Sequence, residues 1–325
     1  MDSFSHQQDG AAEAAGAADG GEHGGRERGG ELSLELLKAV SRSFYLSMVW
    51  LPRPMRRGIA LGYLLARATD SVADSSGAAL SLRETVLEAM WRSIAAPTPP
   101  EDEEALLRAL RETMAPAQEK EAEAQLLRVF GEALRALRSL PPAEAALLRE
   151  VLVEIVEGQL WDLRFFNHCD SVSSDAETER YTWLVAGCVG AFWTRLGRAT
   201  LGDAFCSAEQ APELEQMGIR YGKGLQLINI LRDRREDEAR GRRYICTEPL
   251  RWMDRAEGYL REGLAYSRRL GMLRLRFTAA LPALIGLRTL KLLRLNRCDE
   301  RVRIPRRSVY AAMLQALMLC LRRLR

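Results

Sequence analysis

The chain has 325 residues, of which 47% are hydrophobic and 28% charged, so it can bury a sizeable core. Its 47 basic and 44 acidic side chains leave a net charge of +3, which argues against a dedicated nucleic-acid binder. Histidine occurs at only three positions, so neither a histidine-based zinc site nor a Ser-His-Asp triad is expected. If the protein is an enzyme, its catalytic groups are therefore expected to be carboxylates, arginines and hydroxyls.

Residues 1–30 form a head that is rich in glycine and alanine and almost without large apolar side chains. Such a segment cannot offset the entropy of ordering, so we predict that it is disordered. It lacks the apolar stretch of a secretory signal and is more acidic than a typical transit peptide. Six widely spaced cysteines without a Cys-x-x-Cys pair indicate reduced thiols, and together these features predict a cytoplasmic protein.

Residues 31–325 are predicted to fold as one all-α domain. Leu, Ala, Arg and Glu dominate this part of the chain, and alternating β-branched runs are scarce. Prolines and glycines interrupt the helical pattern and set the predicted boundaries. The predicted helices span 31–50, 55–74, 81–95, 102–113, 117–138, 142–168, 178–200, 209–239, 251–270, 275–296 and 306–323.

The predicted helix over 55–74 carries Asp70 and Asp74, the first of two Asp-x-x-x-Asp pairs. A spacing of four residues places both carboxylates on one face of a helix, where Tyr63 and Arg67 extend the polar stripe. The rest of this helix is apolar, so the stripe is expected to be half buried. A half-buried polar stripe is costly unless it faces a partner.

The predicted helix over 209–239 carries the second pair, Asp233 and Asp237, with Gln226 and Asn229 on the same face. Two acidic ridges that face each other repel unless cations lie between them, and hard oxygen ligands select Mg²⁺ shared with substrate phosphates. One interpretation is therefore a site for a magnesium-bridged diphosphate. The other is a pair of structural helices whose charged faces are covered by arginines, and spacing alone leaves both open.

Several motifs follow one another along the chain and carry a family resemblance. They are Ser-Arg-Ser-Phe at 41–44, Arg67–Asp74, Tyr181–Gly190, Gly224–Asp237 and Arg240–Tyr244. With these motifs, the chain resembles the squalene/phytoene synthase family of head-to-head prenyl transferases over nearly all of residues 35–318. The first motif reads Asp-Ser-x-x-Asp, which is more similar to the squalene type of this family than to the phytoene type.

The resemblance implies an isoprenoid-synthase-type bundle of antiparallel helices around a deep apolar cavity. In such a bundle the expected Mg²⁺ ligands, which hold the metal against two prenyl diphosphates, are Asp70, Asp74, Asp233 and Asp237. The expected substrate-binding residues are Ser41, Arg42, Ser43, Phe44, Gln226, Asn229, Arg232, Arg242 and Tyr244. Tyr181 matches the family's catalytic tyrosine, and Tyr63 and Arg67 are further catalytic candidates. For Arg232 an ion pair with the aspartates, and for Tyr63 a structural hydroxyl, are the alternatives.

The activity implied by the resemblance is the condensation of two farnesyl diphosphates through presqualene diphosphate to squalene, with Mg²⁺ and NADPH. One alternative is synthesis of phytoene or dehydrosqualene without a reductant. Another is a non-catalytic assembly or scaffold protein of the same fold. Retention of all four aspartates and of Tyr181 argues against the scaffold.

The sequence leaves the roles of two further segments undecided. Gln159 and Asp162 lie in a segment that resembles a cavity-lining helix of the family, and Asp162 is either a buried structural acid or a functional one. The apolar tail helix Ser308–Leu321 is followed by Arg322, Arg323 and Arg325. It is interpreted either as a final helix packed on the body, which we favour, or as an interfacial anchor for peripheral membrane contact.

Overall fold

The computed structural model describes residues 34–41, 48–295 and 302–321, so the predicted disordered head and the candidates Arg42, Ser43 and Phe44 lie outside the described residues. The described residues are helical and contain no strand beyond one isolated bridge between Ser171 and Arg243. The α-helices are α1 Leu34–Ser41, α2 Arg53–Ala73, α3 Leu80–Ala95, α4 Glu103–Ala109, α5 Glu121–Arg128, α6 Phe130–Arg138, α7 Pro142–His168, α8 Asp175–Thr182, α9 Cys188–Leu201, α10 Ala211–Ala239, α11 Pro249–Arg269, α12 Leu273–Leu295 and α13 Arg306–Leu321. The predicted all-α class is confirmed.

Prolines begin several of these helices at the positions that the sequence indicates. Pro142 and Pro249 stand at the first positions of α7 and α11, where the missing N–H is not needed and the fixed φ favours the helix. The predicted helix over 117–138 differs, because the chain forms α5 and α6 with a break at Val129 (φ −97°, ψ 10°). Short π-helical segments extend α4 and join α8 to α9, at Leu110–Met114 and Trp183–Gly187.

The helices pack around one large core. The long helix α10 packs against α9, α11 and α12, and α2 packs against α7, α9 and α6. A continuous set of buried apolar side chains, from Leu37 to Val302, fills the space between them. Burial of this apolar area is the main force that holds the two helices with the acidic pairs in place.

Glycines allow α9 and the π segment before it to approach α10 very closely. A Cβ atom at Gly190 would lie 1.9 Å from the carbonyl oxygen of Gly218, and one at Gly222 would lie 2.2 Å from the carbonyl oxygen of Ala186. Only residues without a side chain permit this backbone contact. It sets the position of the segment that carries Tyr181 relative to α10.

The length and apolar character of the described helices decide whether one of them can span a membrane. None of the helices in 34–41, 48–295 and 302–321 has the length and apolar character needed to cross a bilayer.

Candidate active site

A cavity of about 680 Å³ lies between α2, α7, the Tyr181 segment and the carboxyl-terminal half of α10. Apolar side chains from three of these elements, among them Ile155, Val185 and Ile230, contribute to its wall. Polar and charged side chains dominate the rest of the lining. Eight of the candidate residues line it: Asp70, Asp74, Tyr181, Gln226, Asn229, Asp237, Arg242 and Tyr244.

The first acidic pair lies at the end of α2, and its two members differ in their surroundings. Asp70 is buried and forms an ion pair with Arg67 at 2.7 Å. Arg67 also pairs with Glu123 of α5 at 2.5 Å, so its guanidinium bridges two carboxylates. Asp74 caps the helix and is exposed towards the cavity. Arg67 itself does not line the cavity and holds Asp70 in position.

The second acidic pair lies in the last turns of α10. Arg232 donates from Nε and Nη2 to the two oxygens of Asp233, at 2.9 and 2.5 Å. The alternative interpretation of Arg232, an ion pair with the aspartates, is what the structure contains, and neither residue of this pair lines the cavity. Asp237 does line it, and burial together with the negative charge of Asp233 raises the pKa of Asp237 to about 7.

A sharp turn after α10 brings Arg242 and Tyr244 over the cavity. Gly241 adopts φ 75°, a left-handed conformation that glycine reaches without a Cβ clash and that ends the helix. The Arg243 N–H then donates to the carbonyl of Asp170 at 3.0 Å, and the Arg243 carbonyl accepts from the backbone of the same segment. These bonds fix the turn against the segment that follows α7.

Asp162 of α7 is the acceptor for both residues of this turn. Arg242 donates to one of its oxygens at 2.8 Å, and the Tyr244 hydroxyl donates to the other at 2.6 Å. Burial raises the pKa of Asp162, and the charge of Arg242 and the Tyr244 hydroxyl offset part of that shift. The sequence left the role of Asp162 open. Its signal was the spacing of Gln159 and Asp162, two polar residues three apart and therefore on one face of the predicted helix.

Tyr181 belongs to an aromatic wall at the same end of the cavity. Its ring stacks on that of Tyr244, with centroids 4.8 Å apart and planes at 20°, and lies 5.5 Å from the ring of Trp161. Burial and the nearby charge of Asp162 raise the pKa of Tyr181 well above its ordinary value, so this hydroxyl keeps its proton at neutral pH.

Cationic and amide groups line the same cavity, and some of their atoms are unsatisfied. Arg83 donates from Nη1 to the carbonyl of Ala73 at 2.8 Å, whereas its buried Nε has no hydrogen-bond partner among the described residues. Oε1 of Gln159 is also buried without such a partner. Since buried polar atoms are nearly always paired, these two atoms mark places where a ligand oxygen or a ligand donor fits.

Two other candidates, Tyr63 and Ser41, have structural contacts outside the cavity lining. The Tyr63 hydroxyl donates to the carbonyl of Val40 at 3.1 Å, which ties α2 to α1. The Ser41 hydroxyl donates to the carbonyl of Leu37 within α1. Gln226 and Asn229, by contrast, lie on the cavity wall, with their amide groups 3.4 Å apart.

Comparisons with known proteins place the chain in a family. A family model described as squalene/phytoene synthase matches residues 37–253. The chain is 29% identical over 218 residues to a phytoene synthase of Thermus thermophilus, covering 67% of this chain and 59% of that protein. It is 26% identical over 206 residues to a squalene synthase of Schizosaccharomyces pombe, covering 62% of this chain and 41% of that protein. The chain thus spans about half the length of these curated relatives.

A solved structure with the same fold covers most of the chain. The complex of TcSQS with the ligand E5700 superimposes with a TM-score of 0.66, covering 88% of this chain and 87% of that one, at 20% sequence identity. At this identity the likeness establishes the fold. The matched sequences include both phytoene and squalene synthases, so they do not decide between the two products.

Proposed function

The chain belongs to the squalene/phytoene synthase family, whose members are prenyltransferases, and we propose that it condenses two farnesyl diphosphates head to head to presqualene diphosphate, which a hydride from NADPH then reduces to squalene with loss of the second diphosphate. One observation carries this proposal. Carboxylates of α2 and of α10, Asp74 and Asp237, line the same cavity from two helices that are far apart in sequence. A diphosphate that is bound between two helices requires this arrangement, because the groups that bind its charge must lie on both sides of one cavity.

The residues present fit Mg²⁺. No group of three or more His, Cys, Asp or Glu side chains in the described ranges lies close enough to hold a metal ion alone. That matches a cation that keeps water ligands and is shared with substrate phosphates. The raised pKa of Asp237 points the same way, since a divalent cation stabilises the ionised carboxylate. Of the four expected ligands, Asp70, Asp74 and Asp237 line the cavity and would hold Mg²⁺, whereas Asp233 is paired with Arg232 outside the lining.

Bound Mg²⁺ would neutralise the diphosphate and so make it a better leaving group from the allylic carbon. The chain's own cations do the same work at the diphosphate oxygens. Arg242 is oriented for this by its bond to Asp162, and Arg83 has an unused Nε on the cavity wall. A guanidinium donates two parallel hydrogen bonds to such an anion, which fixes the direction in which it departs.

The prenyl chains would occupy the apolar part of the cavity. Ile155, Val185 and Ile230 offer alkyl surface there, and burial of the chains excludes water from the allylic cation that forms when the C–O bond ionises. The stacked rings of Tyr181 and Tyr244 add aromatic faces near that cation. The double bond of the second substrate then attacks it instead of water.

Tyr181 would act with its proton in place. Its raised pKa excludes a free phenolate at neutral pH, so Oη serves as a hydrogen-bond donor and acceptor. In that role it orients the departing diphosphate, which can accept the proton lost as the cyclopropane ring of the intermediate closes. Gln226 and Asn229 extend the same polar wall with amide groups.

Product analysis tests the proposal. The purified protein is incubated with Mg²⁺ and either farnesyl or geranylgeranyl diphosphate, each with and without NADPH, and the hydrocarbons are identified by mass spectrometry. Squalene that forms from farnesyl diphosphate only in the presence of NADPH is the expected result. Phytoene from the longer substrate, or dehydrosqualene without reductant, would replace squalene as the assigned product, and no turnover with any substrate would favour the scaffold.

A further inference from the structure

The outward face of α13 is apolar. The helix has no charged side chain between Ser308 and Leu321. Its inner face, which includes Val309, Ala312 and Ala316, is buried against α12. The outer face is 47–60% exposed and consists of Tyr310, Leu314, Leu317 and Met318. A surface helix normally carries polar residues outward, so this exposed apolar face calls for a partner.

The apolar surface continues beyond α13. Phe277 of α12 packs with the buried cluster between α12 and α13. Its ring also lies 5.7 Å from that of Trp50, which is 53% exposed and follows the partly exposed Val49. Tryptophan and tyrosine are the side chains that favour the boundary between water and hydrocarbon, because they combine an apolar ring with a polar group.

Charge is distributed very unevenly along the sequence, and the basic part of the chain is the part that includes α13. Residues 271–325 contain thirteen Lys and Arg but only two acidic residues, an excess of eleven positive charges in a chain of net charge +3. The first 270 residues are therefore net acidic by eight. Arg303 and Arg307 are exposed just before and at the start of α13. A basic rim next to an apolar face complements an anionic lipid surface.

We propose that the α13 face, defined as Tyr310, Leu314, Leu317, Met318 and the adjoining Trp50, docks onto a bilayer that contains anionic lipid. The helix lies in the plane of the surface over a length of about 24 Å, with its apolar side chains at the acyl boundary. Arg303 and Arg307 contact lipid phosphates from the rim. The inference goes beyond the proposed function, since it requires neither a particular substrate nor turnover.

A second copy of the chain fits this face less well than a lipid surface does. Dimerisation through α13 would bring two segments of eleven excess positive charges together, and this repulsion opposes the apolar contact. An anionic bilayer instead turns the same charge into attraction. The charge of the segment therefore selects the lipid surface as the occupant.

Vesicle flotation of the full-length protein tests the proposal. Binding is measured to phosphatidylcholine vesicles with and without phosphatidylglycerol, at low and high salt. Binding to the anionic vesicles that weakens at high salt is expected. The double variant Leu314→Asn/Leu317→Asn removes apolar surface without changing charge and should bind at least about tenfold more weakly. The matched control is Leu250→Asn on α11, where the leucine is 61% exposed, and it should bind like the parent protein.

A second pair of variants tests the charge. Arg303→Gln/Arg307→Gln should weaken binding to anionic vesicles roughly tenfold or more, whereas Arg108→Gln/Arg111→Gln, two exposed arginines elsewhere, should not. Circular dichroism verifies that each variant keeps its helix content. Equal binding by the apolar double variant and the parent would overturn the proposal, and so would failure of the parent to bind anionic vesicles. A concentration-dependent dimer that the apolar variant abolishes, without vesicle binding, would assign the face to self-association instead.

Discussion

The two acidic pairs have the same spacing on two long helices, yet their members experience different electrostatics. In each pair the first aspartate is ion-paired with an arginine of its own helix, Asp70 with Arg67 and Asp233 with Arg232. In each pair the second aspartate lines the cavity; of the two first aspartates Asp70 lines it as well and Asp233 does not. The spacing of four therefore separates a carboxylate that is ion-paired within its own helix from one that faces the site.

The second aspartates of the two pairs, Asp74 and Asp237, also differ from each other. Asp74 is at the end of α2 and exposed, whereas Asp237 lies inside α10, and burial beside Asp233 raises its pKa to about 7. One wall of the cavity thus presents a hydrated carboxylate and the other a carboxylate that is poorly solvated. Equivalent positions in sequence need not contribute equally to holding a cation.

The largest expected effect comes from removing a cavity carboxylate. Asp237→Asn should lower Mg²⁺-dependent turnover of farnesyl diphosphate by roughly 10²–10³-fold, because charge that develops on the leaving group loses its counter-charge. Asp74→Asn should do the same to a smaller extent, because solvent replaces part of its contribution. Steady-state kinetics at saturating Mg²⁺ measure both. Glu236→Gln, an exposed neighbour on α10, is the matched control and should stay within about twofold of the parent protein.

Substitution of the two arginines that pair with the first aspartates should lower the stability of the fold to different extents. Arg67→Gln removes the guanidinium that bridges Asp70 and Glu123 in a buried place, although Lys120 still pairs with Glu123, and should destabilise the fold by about 3–5 kcal/mol. Arg232→Gln removes the pair with Asp233, which is only partly buried, and should cost less. Urea unfolding followed by circular dichroism gives both values. Equal costs for the two variants would contradict the comparison of the two pairs.

Much of the fold follows from the sequence because helices leave local signals. Apolar periodicity and prolines such as Pro142 and Pro249 predict where helices begin, and the structure agrees within a few residues. The break at Val129 was not predicted, since no proline or glycine occupies that position. Helix ends are local properties, and a break without a local signal depends on how the two halves pack.

The candidate site was predictable only in part. Helical spacing placed each acidic pair on one helix face and left open whether the two faces share a partner; in the structure Asp74 and Asp237 line the same cavity. The bonds of Asp162 to Arg242 and Tyr244 join residues about 80 positions apart, so no periodicity within one helix could predict them. Likewise the sequence of α13 shows an apolar helix, but only its packing on α12 shows which face stays exposed.

The close contact of α9 and α10 gives a way to change the separation of the site's walls without changing a charge. Gly190→Ala places a Cβ against the backbone of Gly218, which cannot move aside as a side chain can, and should destabilise the fold by about 1–3 kcal/mol. Turnover should fall as well, since the Tyr181 segment moves relative to α10. Gly258→Ala on α11 is the control, because its Cβ meets no atom within 4 Å and should add about 0.5–1 kcal/mol of stability.

The stability of the protein should also depend on pH through the poorly solvated carboxylate of Asp237. Without Mg²⁺, the folded state holds a proton on Asp237 up to about pH 7, whereas the unfolded chain releases it near the ordinary value of 3.8. The folded state therefore binds more protons between these values, and the free energy of unfolding falls as the pH rises through this window. Above about pH 7 this contribution is constant.

Asp237→Asn should remove that slope, and Asp74→Asn, which removes the exposed carboxylate of the other pair, is the matched comparison. Unfolding in the presence of EDTA, measured from pH 4 to 8, compares the three proteins. Since Mg²⁺ binds the ionised carboxylate, its affinity for the parent protein should rise with pH up to about 7 and then level off. If Asp74→Asn removed the slope and Asp237→Asn kept it, the assignment of the poorly solvated carboxylate to α10 would be reversed.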